Sequence, residues 1–311
     1  MTYALGYVAL AVNDVGRAAA LLGDDLGFPR GEVALGAERL PAFQVGASAL
    51  VLVPSGHRFL SGRIATGIDH LALTCADPAA VEWRGNPTIG LNGMTQYNLA
   101  PETTAGVCLR LSTQLALTFT GNPSPHVERI DHIGIASPNN TAAEELFVGR
   151  IGLAFESRQT DMEVRMAVES FTSDKYGVVY HQRPPQPAGG LRVSFITLGD
   201  CELEFLQDFD PSQDAVVEHG AAGTTRQDQG AIGRFVAKHG PGLHHIALKT
   251  PDIDATLAHL AARGHRLIDP VGRPGSRRGR IGFLHPASTG GVLIHLDERT
   301  DPDRDRPGSA Q

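Results

Sequence analysis

The chain has 311 residues, 41% of them apolar and 20% charged, with a formal net charge of −7. That length accommodates two domains of ordinary size, and the acidic balance gives no reason to expect a nucleic-acid partner. No apolar run approaches the roughly 18 residues that a bilayer span needs, so a membrane partner is not expected either.

The N-terminal MTYALGYVALAV alternates like a strand and lacks a basic flank, so it does not read as a signal peptide. From there an internal repeat organises the chain. LGYVALAV (5–12) and the helix-like DVGRAAALLGDDLGF match IDHIGIAS (130–137) and NNTAAEELFVGRIGL at an offset of 125. VGASALVLV (45–53) then matches LGDCELEFL (198–206) at an offset of 153, and GIDHLALT (67–74) matches GLHHIALK (242–249) at 175. The growing offset reflects insertions in the second copy, before residue 198 and between Leu206 and Gly242. Each copy reads as a strand, a helix and several strands, followed by a second such set. The class is α+β.

Within the first copy, the second helix ADPAAVEWRGN (76–86) is short and interrupted by Pro78 and Gly85. QLALTF (114–119) reads as the last strand, and GNPSPHVE (121–128) as a linker. In the second copy, 162–182 reads as a long hairpin turning at SDKYG, and 207–230 as a polar, glycine-rich mobile loop. The helix after GLHHIALK is well marked: Asp252 caps it, Ile253, Leu257 and Leu260 form its buried stripe, and Gly264 ends it. These signals give domains at 1–121 and 129–298, with 299–311 a charged, disordered tail.

Strand alternation assigns faces. Ile133 and Ile135, Leu203 and Phe205, Ile246 and Leu248, and Val292, Ile294 and Leu296 form the core sides. The opposite sides present His132, Glu204, His245 and His295, with small residues beside them. A lone strand histidine is usually a hydrogen-bonded structural residue. Four strands each offering an imidazole or carboxylate at matching positions instead suit one divalent ion: zinc, cobalt, manganese, nickel or iron(II). Cys75, Cys108 and Cys201 are odd in number, widely spaced and without a CxxC pair. They argue against a Cys-based zinc site and fit a cytoplasmic location.

On these segments, and on RPGSRRGRIGFLHPASTGGVLIHLDE, the chain resembles the vicinal oxygen chelate superfamily of glyoxalase I, methylmalonyl-CoA epimerase, extradiol and 4-hydroxyphenylpyruvate dioxygenases and bleomycin-resistance proteins. Residues 129–298 most resemble methylmalonyl-CoA epimerase. The resemblance implies tandem βαβββ modules whose curved mixed sheets enclose a metal held by His132, Glu204, His245 and His295, with no organic cofactor. One departure stands out, since the family has glutamate where this chain has His295. The first copy departs further: Tyr7 replaces His132, Val51 replaces Glu204, only His70 matches His245, and QLALTF offers no ligand. The first copy is therefore expected to be degenerate, with His70 structural.

What the resemblance implies about activity divides three ways. The first is metal-dependent proton transfer, as in an epimerase, isomerase or lyase, on a small molecule chelated through two oxygens, such as a CoA thioester. Glu204 or His295 then carries the proton, and Arg277, Arg278 and Arg280 (with Arg273 in the same loop) meet a phosphate or carboxylate. Arg192 and Tyr180 are further substrate-binding candidates. The second is an iron(II) dioxygenase acting on an oxygenated aromatic. The third is a metal-free binding protein. Met166, Phe171, Tyr176, Tyr180 and His181 either line the pocket or form a contact between copies of a homodimer.

Overall fold

The computed structural model describes residues 2–165, 168–182, 186–209, 230–275, 277 and 279–300. The first half contributes β1 (Ala4–Val12), α1 (Val15–Ala20), β2 (Arg30–Leu35), β3 (Glu38–Val45), β4 (Ser48–Pro54), β5 (Gly67–Thr74), β6 (Asn86–Ile89), β7 (Thr95–Leu99) and β8 (Leu109–Ser112). Its strands form one sheet in the order β2-β3-β4-β1-β5-β8-β7-β6. The second half contributes β9 (Arg129–Ala136), α2 (Asn140–Glu144), β10 (Ala154–Arg165), β11 (Val168–Ser173), β12 (Gly177–Gln182), β13 (Gln186–Leu198), β14 (Cys201–Phe209), α3 (Ala231–His239), β15 (Gly242–Lys249), α4 (Ile253–Ala262), β16 (Arg273–Pro274), β17 (Arg280–Phe283) and β18 (Ile294–Glu298). Here the order is β10-β13-β14-β9-β15-β18-β17-β16, while β11 and β12 pair with each other as a separate hairpin. The two orders superimpose strand for strand once that hairpin is set aside. Each module is thus two βαβββ units joined along β1/β5 or β9/β15, and both sheets are curved and mixed.

The helices form where the sequence caps them. Asp14, Asn139 and Asp252 each accept a hydrogen bond from the backbone N–H three residues on, satisfying a donor that the first turn leaves open. α1 and α2 both run on into a single π turn, at Leu21–Asp25 and Glu145–Arg150. Ile253, Leu257 and Leu260 of α4 are fully buried, and Gly264 follows at φ 86, in the left-handed region open to glycine. The weak second helix of the first module is reduced to a 3₁₀ turn at Pro78–Ala80. No described helix is long and apolar enough to cross a membrane.

The helix-side faces of both sheets share one continuous core, from Val8, Leu10 and Leu71 to Ile133, Ile246 and Leu257. Polar contacts also join the modules. Asp25 of the first accepts from Arg263 Nε at 2.6 Å and bonds His265 Nε2 at 2.7 Å, and its carbonyl meets His259 Nε2 at 2.9 Å.

The hairpin expected over 162–182 is confined to 168–182, because β10 takes residues up to 165 and pairs with β13. Two further sequence expectations change. QLALTF is not the last strand of the first module: it forms no regular structure, and β8 pairs parallel with β5 in the register Leu71–Leu109 and Ala72–Arg110. The second module has the same register at Ile246–Ile294 and Ala247–His295, so Arg110 is the counterpart of His295. The second change is α3, for which the sequence reading had no element. The expected mobile loop at 207–230 and the expected disordered tail lie mostly outside the described residues, as do Met166 and Arg278. Of the loop, β14 claims residues up to Phe209.

Candidate metal centre

The hollow of the second sheet gathers one side chain from each of four strands. β9 supplies His132, β14 Glu204, β15 His245 and β18 His295, and all four are buried. Pairing explains the convergence: Glu204 sits in register with Gly134, and His295 with Ala247, on the strands that carry the other two histidines. The small residues make the room. A Cβ on Gly134 would fall 2.0 Å from the His245 ring, so only glycine lets that imidazole lie across β9.

Ring centroids are 5.6 Å apart for His132 and His245, 5.0 Å for His132 and His295, and 4.9 Å for His245 and His295. Donor nitrogens of these three rings all lie within 4.8 Å of one another. Glu204 Oε2 stands beside two of them, 3.3 Å from His132 Nε2 and 3.4 Å from His245 Nε2, without hydrogen-bond geometry. His132 Nε2, His245 Nε2 and both nitrogens of His295 are buried with no hydrogen-bond partner. An unpaired buried polar atom costs about 1–3 kcal/mol, and three rings that each turn one such nitrogen toward the others gain by binding a cation there. A divalent ion with imidazole donors fits that need.

Charge in the hollow is set by burial and by neighbours. Burial alone would lower the His132 pKa, but Glu204 and Asp131 push it up to about 10. Burial would raise Glu204, yet His132 and His245 hold it well below the ordinary carboxylate range. His245 and His295 are lowered, chiefly by burial, and stay neutral. Opposed shifts packed into one spot are a feature of functional sites.

Around the four lie groups that the sequence reading did not single out. Asp131 Oδ2 meets His132 Nδ1 at 3.0 Å, and its carboxylate is flanked by Arg129 at 3.4 Å, Arg277 at 3.3 Å and Arg299 at 3.1 Å. Glu202, which shares a face with Glu204, is buried and ion-paired to Arg277 and Arg299. Burial, then the Asp131 charge, push Asp297 up to about 7. Asp131, His132 and Asp297 could by spacing hold a second cation. Three guanidinium groups on Asp131 already supply the positive charge, which disfavours one. Phe195 and Phe283 wall the hollow, with ring centroids 6.5 Å from His132 and 4.6 Å from His295 respectively.

The other sequence candidates are spread more widely. Arg277 reaches the site: it lies 3.8 Å over the Phe195 ring, bonds Gln159 through its backbone, and holds a left-handed φ of 51. Arg280 turns to Asp254 at 2.6 Å and Glu298 at 3.7 Å, on the α4 side. Arg273 pairs with Asp269. Arg192 lies over Phe209 and alternates with Val193 and Phe195, so it faces the helices rather than the hollow. Tyr180 is 70% exposed on the β11–β12 hairpin, with Phe171 and Tyr176 also exposed there.

In the first module the equivalent hollow holds Tyr7, Val51, His70 and Arg110, all buried. Arg110 lies 4.0 Å over the Phe59 ring and donates to the Phe59 carbonyl. A guanidinium thus fills the counterpart position, and these four residues do not make a ligand set.

Residues 131–283 match the model of the Glyoxalase/Bleomycin resistance protein/Dioxygenase superfamily. The second module is a domain of that superfamily. Methylmalonyl-CoA epimerase, mitochondrial, of Dictyostelium discoideum is 25% identical over 174 residues, covering 56% of this chain and 80% of that protein. Uncharacterized protein YqjC of Bacillus subtilis is 27% identical over 172 residues, covering 55% of this chain and 93% of its own. Among solved structures, a variant of 4-hydroxymandelate synthase from Streptomyces coelicolor aligns at a TM-score of 0.62 and 17% identity, over 96% of this chain and 93% of that one. That likeness shows the fold: the alignment spans both modules of this chain.

Proposed function

We propose that the second module is a divalent-metal-dependent enzyme centre for proton transfer, of the epimerase, isomerase or lyase kind, acting on a small acid or thioester chelated through two oxygens. The observation that carries this reading is the trio of buried imidazoles with unpaired nitrogens, with the Glu204 carboxylate 3.3 Å and 3.4 Å from two of them. In this reading His132, His245 and His295 hold the ion. A divalent ion bound there polarises two substrate oxygens and acidifies the carbon between them.

Glu204 is the proton carrier. It is ionised, buried and adjacent to the ligand nitrogens, so it can take a proton from a substrate carbon placed over the trio, leaving an enolate that is reprotonated on its other face or at another atom. Phe195 and Phe283 give the substrate carbon an apolar wall. Arg277 is the sequence-named cation that reaches the hollow among the described residues, and it is the candidate grip for a substrate carboxylate. A CoA thioester is the favoured substrate class, because the epimerases named for methylmalonyl-CoA are among this module's relatives.

A second reading rests on Glu204 itself. With His132 and His245 it would make a two-histidine, one-carboxylate set, as in iron(II) dioxygenases, leaving His295 aside. The decisive experiment incubates the reconstituted protein with a 2-methyl-branched dicarboxyl-CoA in D2O while following dissolved oxygen. Deuterium entering at the 2-position with no oxygen consumed supports proton transfer. Oxygen uptake that requires iron(II), with no exchange, refutes it.

A further inference from the structure

A repeated irregularity sits directly before the site residues. In both modules the two central strands slip register at a β-bulge, and the extra residue is Gly6, Asp69, Asp131 or His244. Each immediately precedes a hollow-facing residue: Tyr7, His70, His132 or His245. A bulge puts two residues opposite one and re-aims their side chains, so the preceding side chain can turn onto the ring that follows it.

That turn is made wherever the bulge residue has a polar side chain. Asp69 Oδ1 lies 2.6 Å from His70 Nδ1, Asp131 Oδ2 lies 3.0 Å from His132 Nδ1, and His244 Nδ1 lies 3.0 Å from His245 Nδ1. Every contact occupies Nδ1 and leaves Nε2 facing inward. His70 Nε2 meets the Tyr7 hydroxyl at 3.4 Å, whereas His132 Nε2 and His245 Nε2 have no hydrogen-bond partner. His295 is not preceded by a bulge, and both of its nitrogens are free. Only the ligand without the device lacks a committed donor atom.

We propose that Asp131 and His244 are positioning residues that commit His132 and His245 to donating through Nε2, and that His244 couples the centre to α3. The two holders differ in kind. Asp131 is a carboxylate fixed among arginines, so His132 is rigidly set. His244 is an imidazole whose ring packs edge-on against Phe235 of α3 at 4.8 Å, so the setting of His245 depends on how that helix is docked. The inference rests on the metal-centre reading above and extends it to two residues that act through the ligands rather than on the ion.

Cobalt(II) alone, titrated into metal-free full-length protein and followed by its visible d–d bands, is the probe. His244→Phe keeps a ring against Phe235 but removes the acceptor; His244→Asn returns an acceptor near the same point. The expected result is a 10- to 100-fold rise in cobalt Kd with altered bands for His244→Phe, and values within about threefold of wild type for His244→Asn. Phe235→Ala is expected to shift the bands as His244→Phe does. Unchanged Kd and bands in His244→Phe overturn the inference while leaving the metal reading intact. If the wild type itself binds no cobalt, the metal reading fails, and 15N NMR of the metal-free protein still judges the clamp. His245 protonated on Nδ1 in the wild type, and no longer so fixed in His244→Phe, supports it; His245 protonated on Nε2 in the wild type overturns it.

Discussion

His70 gives the sharpest stability prediction, because it keeps the clamp of the second module without the metal site. It is fully buried, donates from Nδ1 to Asp69 at 2.6 Å, and neighbours the Arg110 guanidinium. Burial and then the Arg110 charge lower its pKa from 6.5 to about 4. The unfolded chain therefore takes up a proton near pH 6.5 that the folded chain refuses until about pH 4. Stability is unaffected above that window and falls as pH drops through it. A tenfold change in proton affinity is worth ~1.36 kcal/mol, so the loss attributable to His70 is about 3 kcal/mol by pH 4. His70→Asn keeps a donor for Asp69 and removes the titration. Urea denaturation at pH 7.5 and 4.5 should show wild type losing about 2–3 kcal/mol more than the variant between the two values. Equal losses would refute the assignment of a neutral, proton-refusing His70 and with it the account of Arg110 as the resident cation of that hollow.

Further outcomes are expected elsewhere. Asp25→Asn removes the anion that Arg263 and His265 grip across the module boundary; with Arg263 half exposed, the expected loss is about 1–2 kcal/mol in urea unfolding. Arg277→Met leaves Glu202 and Asp131 with Arg299 but strips one buried partner, so a loss of about 2–3 kcal/mol and a raised KM are expected together. Glu204→Gln should cut solvent-proton exchange into substrate by 100-fold or more while cobalt still binds, measured by deuterium incorporation and by the d–d bands.

Much of this was legible in the residues. The two-module layout follows from the offsets between LGYVALAV and IDHIGIAS and between GIDHLALT and GLHHIALK, because a recurring order of similar segments marks a repeated structural unit. The four hollow-facing side chains follow from period-two alternation, which holds along β14 and β18. Alternation breaks at a bulge, however, so Asp131 and His244 sit on faces the pattern denied them. Arg110 was hidden because β8 is only four residues long and its register depends on pairing with β5, which a stronger apolar run at 114–119 obscured. The cluster of Arg129, Arg277 and Arg299 around Asp131 comes from three distant segments, and nothing local announces it.

The central claim is that His132, His245 and His295 hold one divalent ion. Metal content after reconstitution with zinc and exhaustive dialysis, measured on wild type and on His245→Ala, tests it most directly. The account predicts about one ion per wild-type chain and a loss of that ion in the variant. A wild type that retains none, or a His245→Ala protein that retains a full equivalent, would contradict it.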